Sequence, residues 1–245
     1  MNPEDVGRAR KVPSVVLFDF FGTLVEYSAS RTEQGYERSF AVLEEAGCSL
    51  GYNDFLQLWS SLSERLDTEA RSTLREFSMA ELGLAFFEKA VPGKASAAHR
   101  ARFLETYLEE WNQGVRPIPG LVDMLTRLAT RFRLAVITNT HDARLVPRHL
   151  ERLGMARCFE AVFTSVEFGL RKPHPAIFEH AMRSLVTSPG ECLYVGDDEV
   201  ADFDGAAGAG LPALLVDPLG VSSVAPSAQL SSILELESRL AGGGD

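Results

Sequence analysis

The sequence predicts an α/β fold: a three-layer, Rossmann-like parallel sheet core with an inserted all-α helical cap domain. Three observations carry this. Short apolar runs ending in polar residues recur along the chain, helical patterns separate the later runs, and one long stretch after the first run has helical spacing only. Continuous apolar runs suit strands buried on both faces, and strands alternating with helices read as βαβ units of a parallel sheet.

The first run is Ser14-Val15-Val16-Leu17-Phe18, closed by Asp19. Residues 28–112 follow with no strand-like run. Their apolar residues, among them Phe40, Leu43, Phe55, Leu58, Leu62, Phe86, Phe103, Tyr107 and Trp111, fall at helical spacings. This stretch is long enough for a lid or cap. Val115-Arg116-Pro117-Ile118-Pro119-Gly120 reads as the return to the core. The expected division is therefore a core of residues 1–27 and 113–245 and a helical cap of residues 28–112. Leu121, Leu125 and Leu128 then mark a helix before the strand Leu134-Ala135-Val136-Ile137. Leu145, His149, Leu150 and Leu153 mark the next, with Gly154 at its C-terminal stop, ahead of Ala161-Val162-Phe163. Ile177, Phe178, Ala181, Met182 and Leu185 share one helix face before Cys192-Leu193-Tyr194-Val195. Pro212 to Val216 is a fifth, weaker strand. The tail Ala241-Gly242-Gly243-Gly244-Asp245 is expected to fray.

Composition narrows the function. Lys and Arg total 24 against 34 Asp and Glu, a formal net charge of −10. An acidic chain repels polyanions, which excludes nucleic-acid binding through a basic face but not small phosphorylated ligands held by a local field. Cys48, Cys158 and Cys192 are far apart and form no C-x-x-C pair, so neither a zinc ribbon nor a disulfide framework is expected. Met1 to Pro13 is polar and lacks the apolar stretch of a signal peptide, and no apolar run approaches the roughly 18 residues that span a bilayer. The expectation is a soluble, cytoplasmic protein without a membrane partner.

In open α/β sheets ligands bind beyond the carboxyl ends of the strands. Those ends carry Asp19-Phe20-Phe21-Gly22-Thr23-Leu24, Thr138-Asn139-Thr140, Gly169-Leu170-Arg171-Lys172-Pro173, and Gly196-Asp197-Asp198-Glu199-Val200-Ala201-Asp202. Singly, each has a plainer reading. Asp at a strand end is more often a turn residue, Thr-Asn suits a helix cap, and a lone lysine is usually solvated. Gly205, Gly208 and Gly210 have the wrong order for a dinucleotide loop, and close helix–sheet packing accounts for them better. Jointly, several carboxylates, a hydroxyl and an ammonium meet at one sheet edge. Crowded carboxylates need a cation between them, and an oxygen-rich set poor in His and Cys favours Mg²⁺ over zinc.

These four segments, in this order, resemble the four motifs of the haloacid dehalogenase-like hydrolase superfamily, in the branch with a helical cap inserted after the first core strand. Asp19 to Leu24 matches the nucleophile motif, Thr138-Asn139 the hydroxyl motif, Lys172 the lysine motif, and Gly196-Asp197 with Asp202 the acidic motif. The likeness covers nearly all of the core and is weak across the cap. It implies a hydrolase, most simply a Mg²⁺-dependent phosphatase of a small phosphorylated metabolite that works through an aspartyl-phosphate. In that scheme Asp19 is the nucleophile. Asp19, the carbonyl of Phe21 and Asp197 bind the metal. Thr138, Asn139 and Lys172 bind the phosphoryl group, and Asp202, with Asp198, fixes the surrounding water and side chains.

One position departs from the pattern. Phosphatases of this family carry a second Asp two residues after the nucleophile, as acid and base, and here that residue is Phe21. Such a group is worth ~10²–10⁴ in rate. Three explanations stand open. The leaving group departs without a proton; Asp142, His141 or a cap residue supplies one; or the chemistry is not phosphoester hydrolysis. Dehalogenases of the family also carry an aromatic residue there, so a metal-free 2-haloacid dehalogenase with the same Asp19 nucleophile is the main alternative. A catalytically weakened binding or regulatory homologue is the second. Gly196-Asp197-Asp198 argues against dehalogenation, because an acidic pair without a cation repels an anionic haloacid. In the cap, Arg71, Arg75 and Glu76 are the polar residues placed to reach a substrate, although a solvated helix face explains them as simply.

Overall fold

The structure, a computed structural model, describes residues 12–27, 34–93 and 95–242. The expectations for residues 1–11, for the first residues of the inserted segment (28–33) and for the last three residues of the tail lie outside the described residues.

Strand β1 (Val15–Phe18) is wholly buried and lies in the middle of a six-stranded sheet. A short strand β2 (Val25–Tyr27) leads into four helices, α1 (Glu37–Glu45), α2 (Tyr52–Thr73), α3 (Met79–Ala90) and α4 (Ala97–Trp111). The chain returns through β3 (Val115–Pro117), which pairs antiparallel with β2. The two-stranded ribbon at the exit and return of the chain was not legible in the sequence, since three residues are too few for a periodic signal. The core continues with α5 (Leu121–Ala129), β4 (Arg133–Thr138), α6 (Leu145–Arg152), β5 (Ala161–Thr164), α7 (Ser165–Phe168), α8 (Pro175–Ser184) and β6 (Cys192–Gly196). A π-helical turn, Glu199–Asp204, runs into α9 (Gly205–Gly208). Then come β7 (Ala213–Val216), the edge strand β8 (Gln229–Leu230), also unforeseen, and α10 (Leu236–Ala241).

The large sheet has the order β5-β4-β1-β6-β7-β8, and all its pairings are parallel. Alternation along β1 explains the three layers. Val16 and Phe18 face a cluster with Leu121, Leu125 and Leu128 of α5 and Leu236 of α10, while Val15 and Leu17 face Ile177, Phe178 and Ala181 of α8. Because β4 and β6 flank β1, the strand order reverses there. The crevice beyond its carboxyl end is where such sheets take ligands.

The four inserted helices share an aromatic cluster of their own, built on Phe55, Trp59, Phe86, Phe103 and Tyr107. Their ends are closed by polar groups. Ser78 and Glu81 form a reciprocal capping box at α3, and Ser96 accepts from the His99 N–H at α4. The buried Glu110 of α4 accepts from the N–H groups of Arg38 and Ser39 at 2.9 and 3.0 Å, and so caps α1 from another helix.

The glycines after β6 serve different ends than expected. Gly205 is closely packed, since a Cβ would lie 2.9 Å from Pro173 Cα, but this packing is against the loop before α8 and not the sheet. Gly208 faces open space, and Gly210 has a left-handed φ of +82°. Cys48, Cys158 and Cys192 carry free thiols. Among the described residues no helix is long and apolar enough to cross a membrane.

Candidate active site

β1 delivers Asp19 to the switch point, where its N–H donates to Val195 O of β6 at 2.9 Å. From the loop before α8, Lys172 enters beneath it. The ammonium has three N–H groups and meets three oxygens: Asp19 Oδ1 at 2.6 Å, Asp202 Oδ1 at 2.5 Å and Tyr194 Oη at 2.8 Å. All four groups are buried, so the lysine is fully satisfied and rigidly held. Asn139 fixes the same lysine through its backbone. Its Oδ1 accepts from Lys172 N at 2.8 Å and its Nδ2 donates to Lys172 O at 3.1 Å. The amide expected to bind substrate thus also positions Lys172, and one of its two Nδ2 hydrogens is not used in doing so.

Asp202 ties the acidic loop together. Its Oδ2 accepts from the N–H groups of Asp197 and Asp198 at 3.2 and 3.1 Å, while Oδ1 takes Lys172 and the Tyr194 hydroxyl. Two glycines make room for these contacts. A Cβ on Gly196 would sit 2.3 Å from Asp202 Cγ, and one on Gly22, where φ is +87°, would sit 2.1 Å from Asp197 Oδ2. Thr23 then donates to Asp197 Oδ1 at 3.0 Å. Asp197 is the most open of the three carboxylates, and oxygens of Asp19, Asp197 and Asp202 all lie within 4.8 Å of one another.

Three carboxylates around one ammonium leave an excess of negative charge. Burial first, and then the neighbouring Asp202, push the Asp19 carboxyl up to about 6 against the pull of Lys172. Burial with Asp19 and Asp202 pushes Asp197 up to about 7. Burial works against the Lys172 charge, but Asp19 and Asp202 outweigh it and hold its pKa above the ordinary lysine value. Burial, Asp202 and Asp19 together raise the Tyr194 phenol. Thr138, at the end of β4, is fully buried, and its Oγ1 has no hydrogen-bond partner among the described residues.

The expected residues therefore divide. Asp19, Asp197, Asp202 and Lys172 come together, with Thr138 and Asn139 at the neighbouring strand end. Asp198, expected to order water, instead caps the π-helical turn by accepting from Val200 N and Ala201 N at 2.9 and 2.7 Å. Glu199 turns away to Ser223. In the helical insertion Arg71 is exposed and paired with Asp67, whereas Glu76 is buried against the core and bonds His141 and Ser165. Tyr194 was missed because it reads as strand filler. The available signal was that a tyrosine hydroxyl in a buried strand needs a partner.

Beside this floor, reached through Phe21 and Asn139, lies a cavity of about 230 Å³ between the strand ends and the helical insertion. Its lining is largely aromatic and apolar, including Phe21, Trp59, Tyr107 and Trp111, with Asn139, His141 and Arg171 on the core side. The Phe21 ring sits edge-on to those of Phe20, Tyr27, Trp111 and His149.

The arrangement has counterparts among known proteins. A family model described as haloacid dehalogenase-like hydrolase matches residues 13–210. The chain is 30% identical over 199 residues to the glyceraldehyde 3-phosphate phosphatase of Methanopyrus kandleri, covering 80% of each chain. It is 26% identical over 223 residues to the ribulose-1,5-bisphosphate 5-phosphatase of Halopiger xanaduensis, covering 88% of this chain and 89% of that one. A solved 2-haloacid dehalogenase from Pseudomonas syringae pv. Tomato DC3000 shares the fold at a TM-score of 0.69 and 24% identity, over 94% of this chain and 99% of that chain. A putative hydrolase of the same family from Bacillus subtilis, solved bound to magnesium, does so at 0.66 and 22%, over 94% and 100%. With the match to the family model spanning β1, the inserted helices and the strand ends that carry Asp19, Thr138, Lys172 and Asp197, the chain belongs to the haloacid dehalogenase-like hydrolases.

Proposed function

We propose that the protein is a Mg²⁺-dependent phosphomonoester hydrolase that works on a small phosphorylated metabolite through an aspartyl-phosphate at Asp19. One observation carries the reading. Asp19 and Asp197 are close enough to share a ligand, and each is destabilised as an anion, first by burial and then by the neighbouring carboxylates, against which Lys172 is the opposing ammonium. That excess calls for a bound cation. The donors are all oxygens, which fits Mg²⁺ and not a softer metal. Asp19, Asp197 and the Phe21 carbonyl would hold it, and when bound it would neutralise phosphoryl oxygens. The partnerless Thr138 hydroxyl supports the same reading, since a phosphoryl oxygen would accept from it. The two relatives described above are named ribulose-1,5-bisphosphate 5-phosphatase and glyceraldehyde 3-phosphate phosphatase.

In this mechanism Asp19 attacks phosphorus in line and the bond to the leaving oxygen breaks. Lys172 fixes the Asp19 carboxylate and offsets its charge. Asn139, Asp202 and Tyr194 keep Lys172 in place. We assign the α/β core to residues 1–27 and 113–245 and the cap to residues 28–112, with the leaving group held in the cavity between them.

The carboxylate excess weighs against haloacid dehalogenation, which would place another carboxylate in the site with no cation to balance it. The deciding experiment is a panel of phosphorylated metabolites assayed with Mg²⁺ and with excess chelator, beside halide release from 2-haloacids. Phosphate release that stops with chelator is expected. Halide release insensitive to chelator would overturn the reading.

A further inference from the structure

Hydrolysis of an alkyl phosphate needs a proton for its leaving oxygen, and Phe21 cannot supply one. Phe21 lines the cavity, so the donor must be sought on the other walls. The titratable side chains there are Tyr27, Tyr107, His141, Asp142 and Arg171. Phenols and guanidinium ordinarily titrate far above neutral pH. Asp142 is clasped by Arg144, through its N–H at 2.8 Å and its guanidinium at 3.2 and 3.4 Å.

His141 is differently held. Its Nδ1 lies 3.1 Å from Glu76 Oε1 and 3.2 Å from the Phe77 carbonyl. A carboxylate and a carbonyl only accept, so Nδ1 carries a hydrogen, and the ring gains and loses protons at Nε2. Nε2 has no hydrogen-bond partner among the described residues, and the side chain is 29% exposed, toward the cavity it lines. Phe77 stacks on the ring at 4.0 Å between centroids and fixes its plane. Glu76 is itself anchored. Its Oε2 accepts from Ser165 Oγ at 2.6 Å, with Arg171 Nε at 3.9 Å. The segment carrying it is laced to the core by Glu76 N to Gly169 O, Arg171 N to Leu74 O and Met79 N to His141 O, at 2.8–3.1 Å.

We propose that His141, oriented by Glu76, is the acid and base of the reaction in place of the carboxyl group missing at Phe21. The inference rests on the phosphatase reading above. In the first step an Asp19 oxygen bonds to phosphorus, the bond from phosphorus to the leaving oxygen breaks, and the Nε2 proton passes to that oxygen to give the alcohol. In the second, neutral Nε2 takes a proton from water. The resulting hydroxide oxygen bonds to phosphorus, the bond to Asp19 breaks, and phosphate leaves with Asp19 and protonated His141 restored. The charged groups around the ring are Glu76 from the segment after α2, Asp67 from α2 with Arg171 beside it, and Asp142 from its own loop.

The test compares an alkyl phosphate with p-nitrophenyl phosphate, whose leaving group needs no proton, in wild type and His141→Gln with Mg²⁺. The variant should lose ~10²–10⁴-fold on the alkyl ester while its pre-steady-state burst of nitrophenol is unchanged. Glu76→Gln should move the basic limb of the wild-type pH–rate profile to lower pH, because the neutral amide no longer favours the imidazolium. Adding Phe21→Asp to His141→Gln should restore part of the alkyl turnover. A lost or slowed nitrophenol burst, no loss of turnover on the alkyl ester, or an unmoved basic limb would overturn the assignment. A wild-type protein inert toward both esters would overturn the phosphatase reading and this inference with it.

Discussion

The floor and the roof of this site use the same parts to opposite effect. Each is a buried network of carboxylates, hydroxyls and a cation. In the floor, Asp19, Asp197 and Asp202 surround Lys172, and the carboxyls of Asp19 and Asp197 are driven up to about 6 and about 7. In the roof, Glu76 meets His141, Arg171 and Ser165. Burial opposes its charge there too, yet these partners outweigh burial and hold it below the ordinary glutamate range. Burial alone therefore does not decide the state of a carboxylate; the ratio of carboxylates to donors does. The roof offsets the charge of its buried glutamate with donors and fastens the helices to the core. The floor is short of positive charge, which suits it to a cation and a phosphoryl group.

Four changes test that contrast, in order of expected effect. Asp19→Asn removes the proposed nucleophile and should cut phosphate release about 10⁴-fold or more, with an unchanged circular dichroism spectrum. Appreciable turnover in this variant would remove Asp19 from the mechanism. Lys172→Met strips the floor of its ammonium and leaves Asp19 and Asp202 facing each other. It should cost about 3–5 kcal/mol in a urea titration, and Mg²⁺ should recover part of the loss. Ser165→Ala in the roof removes one donor to a charged Glu76 and should cost about 1.5–3 kcal/mol, with no recovery by Mg²⁺. Recovery there would mean that the two networks are not independent.

The smallest effect concerns His149, which lies under Phe21. Its Nε2 donates to Asn112 Oδ1 at 2.8 Å and its Nδ1 accepts from Arg152 at 2.9 Å, so the ring is neutral. Burial, and then Arg152, lower its pKa from 6.5 to about 4. Between those values the unfolded chain binds a proton that the folded chain excludes. The contribution is whole above 6.5 and is lost as pH falls toward 4. The melting temperature of His149→Gln should therefore fall less than that of wild type across this window. Parallel curves would show that His149 does not report on acid sensitivity.

Much of this was readable beforehand, for identifiable reasons. Apolar runs such as Val15-Val16-Leu17-Phe18 admit one reading once helices alternate with them, and four polar strand ends point at a common crevice. That Asp19, Lys172 and Asp202 meet was expected on this ground. The ribbon of β2 and β3 and the edge strand β8 were not, because strands of two or three residues carry no periodicity. Asp198 and Glu199 looked like Asp197 and Asp202, and only the path of the π-helical turn separates the cap and the surface contact from the site. Glu76 was noticed as one of three polar residues at the end of α2, with nothing local to single it out.

By itself the sequence determined what is local or periodic: the layered α/β architecture, the helical insertion after the first strand, and the residue types at each strand end. The tertiary structure decided which of those groups share charge. That depends on distances between residues more than a hundred positions apart, such as Lys172 and Asp19 at 2.6 Å. Electrostatic energy at these separations varies steeply with distance and burial, and neither quantity is written in residue spacing. The same physics separates an acidic loop that caps a turn from one suited to a cation, and a cap glutamate in solvent from one that steadies a histidine.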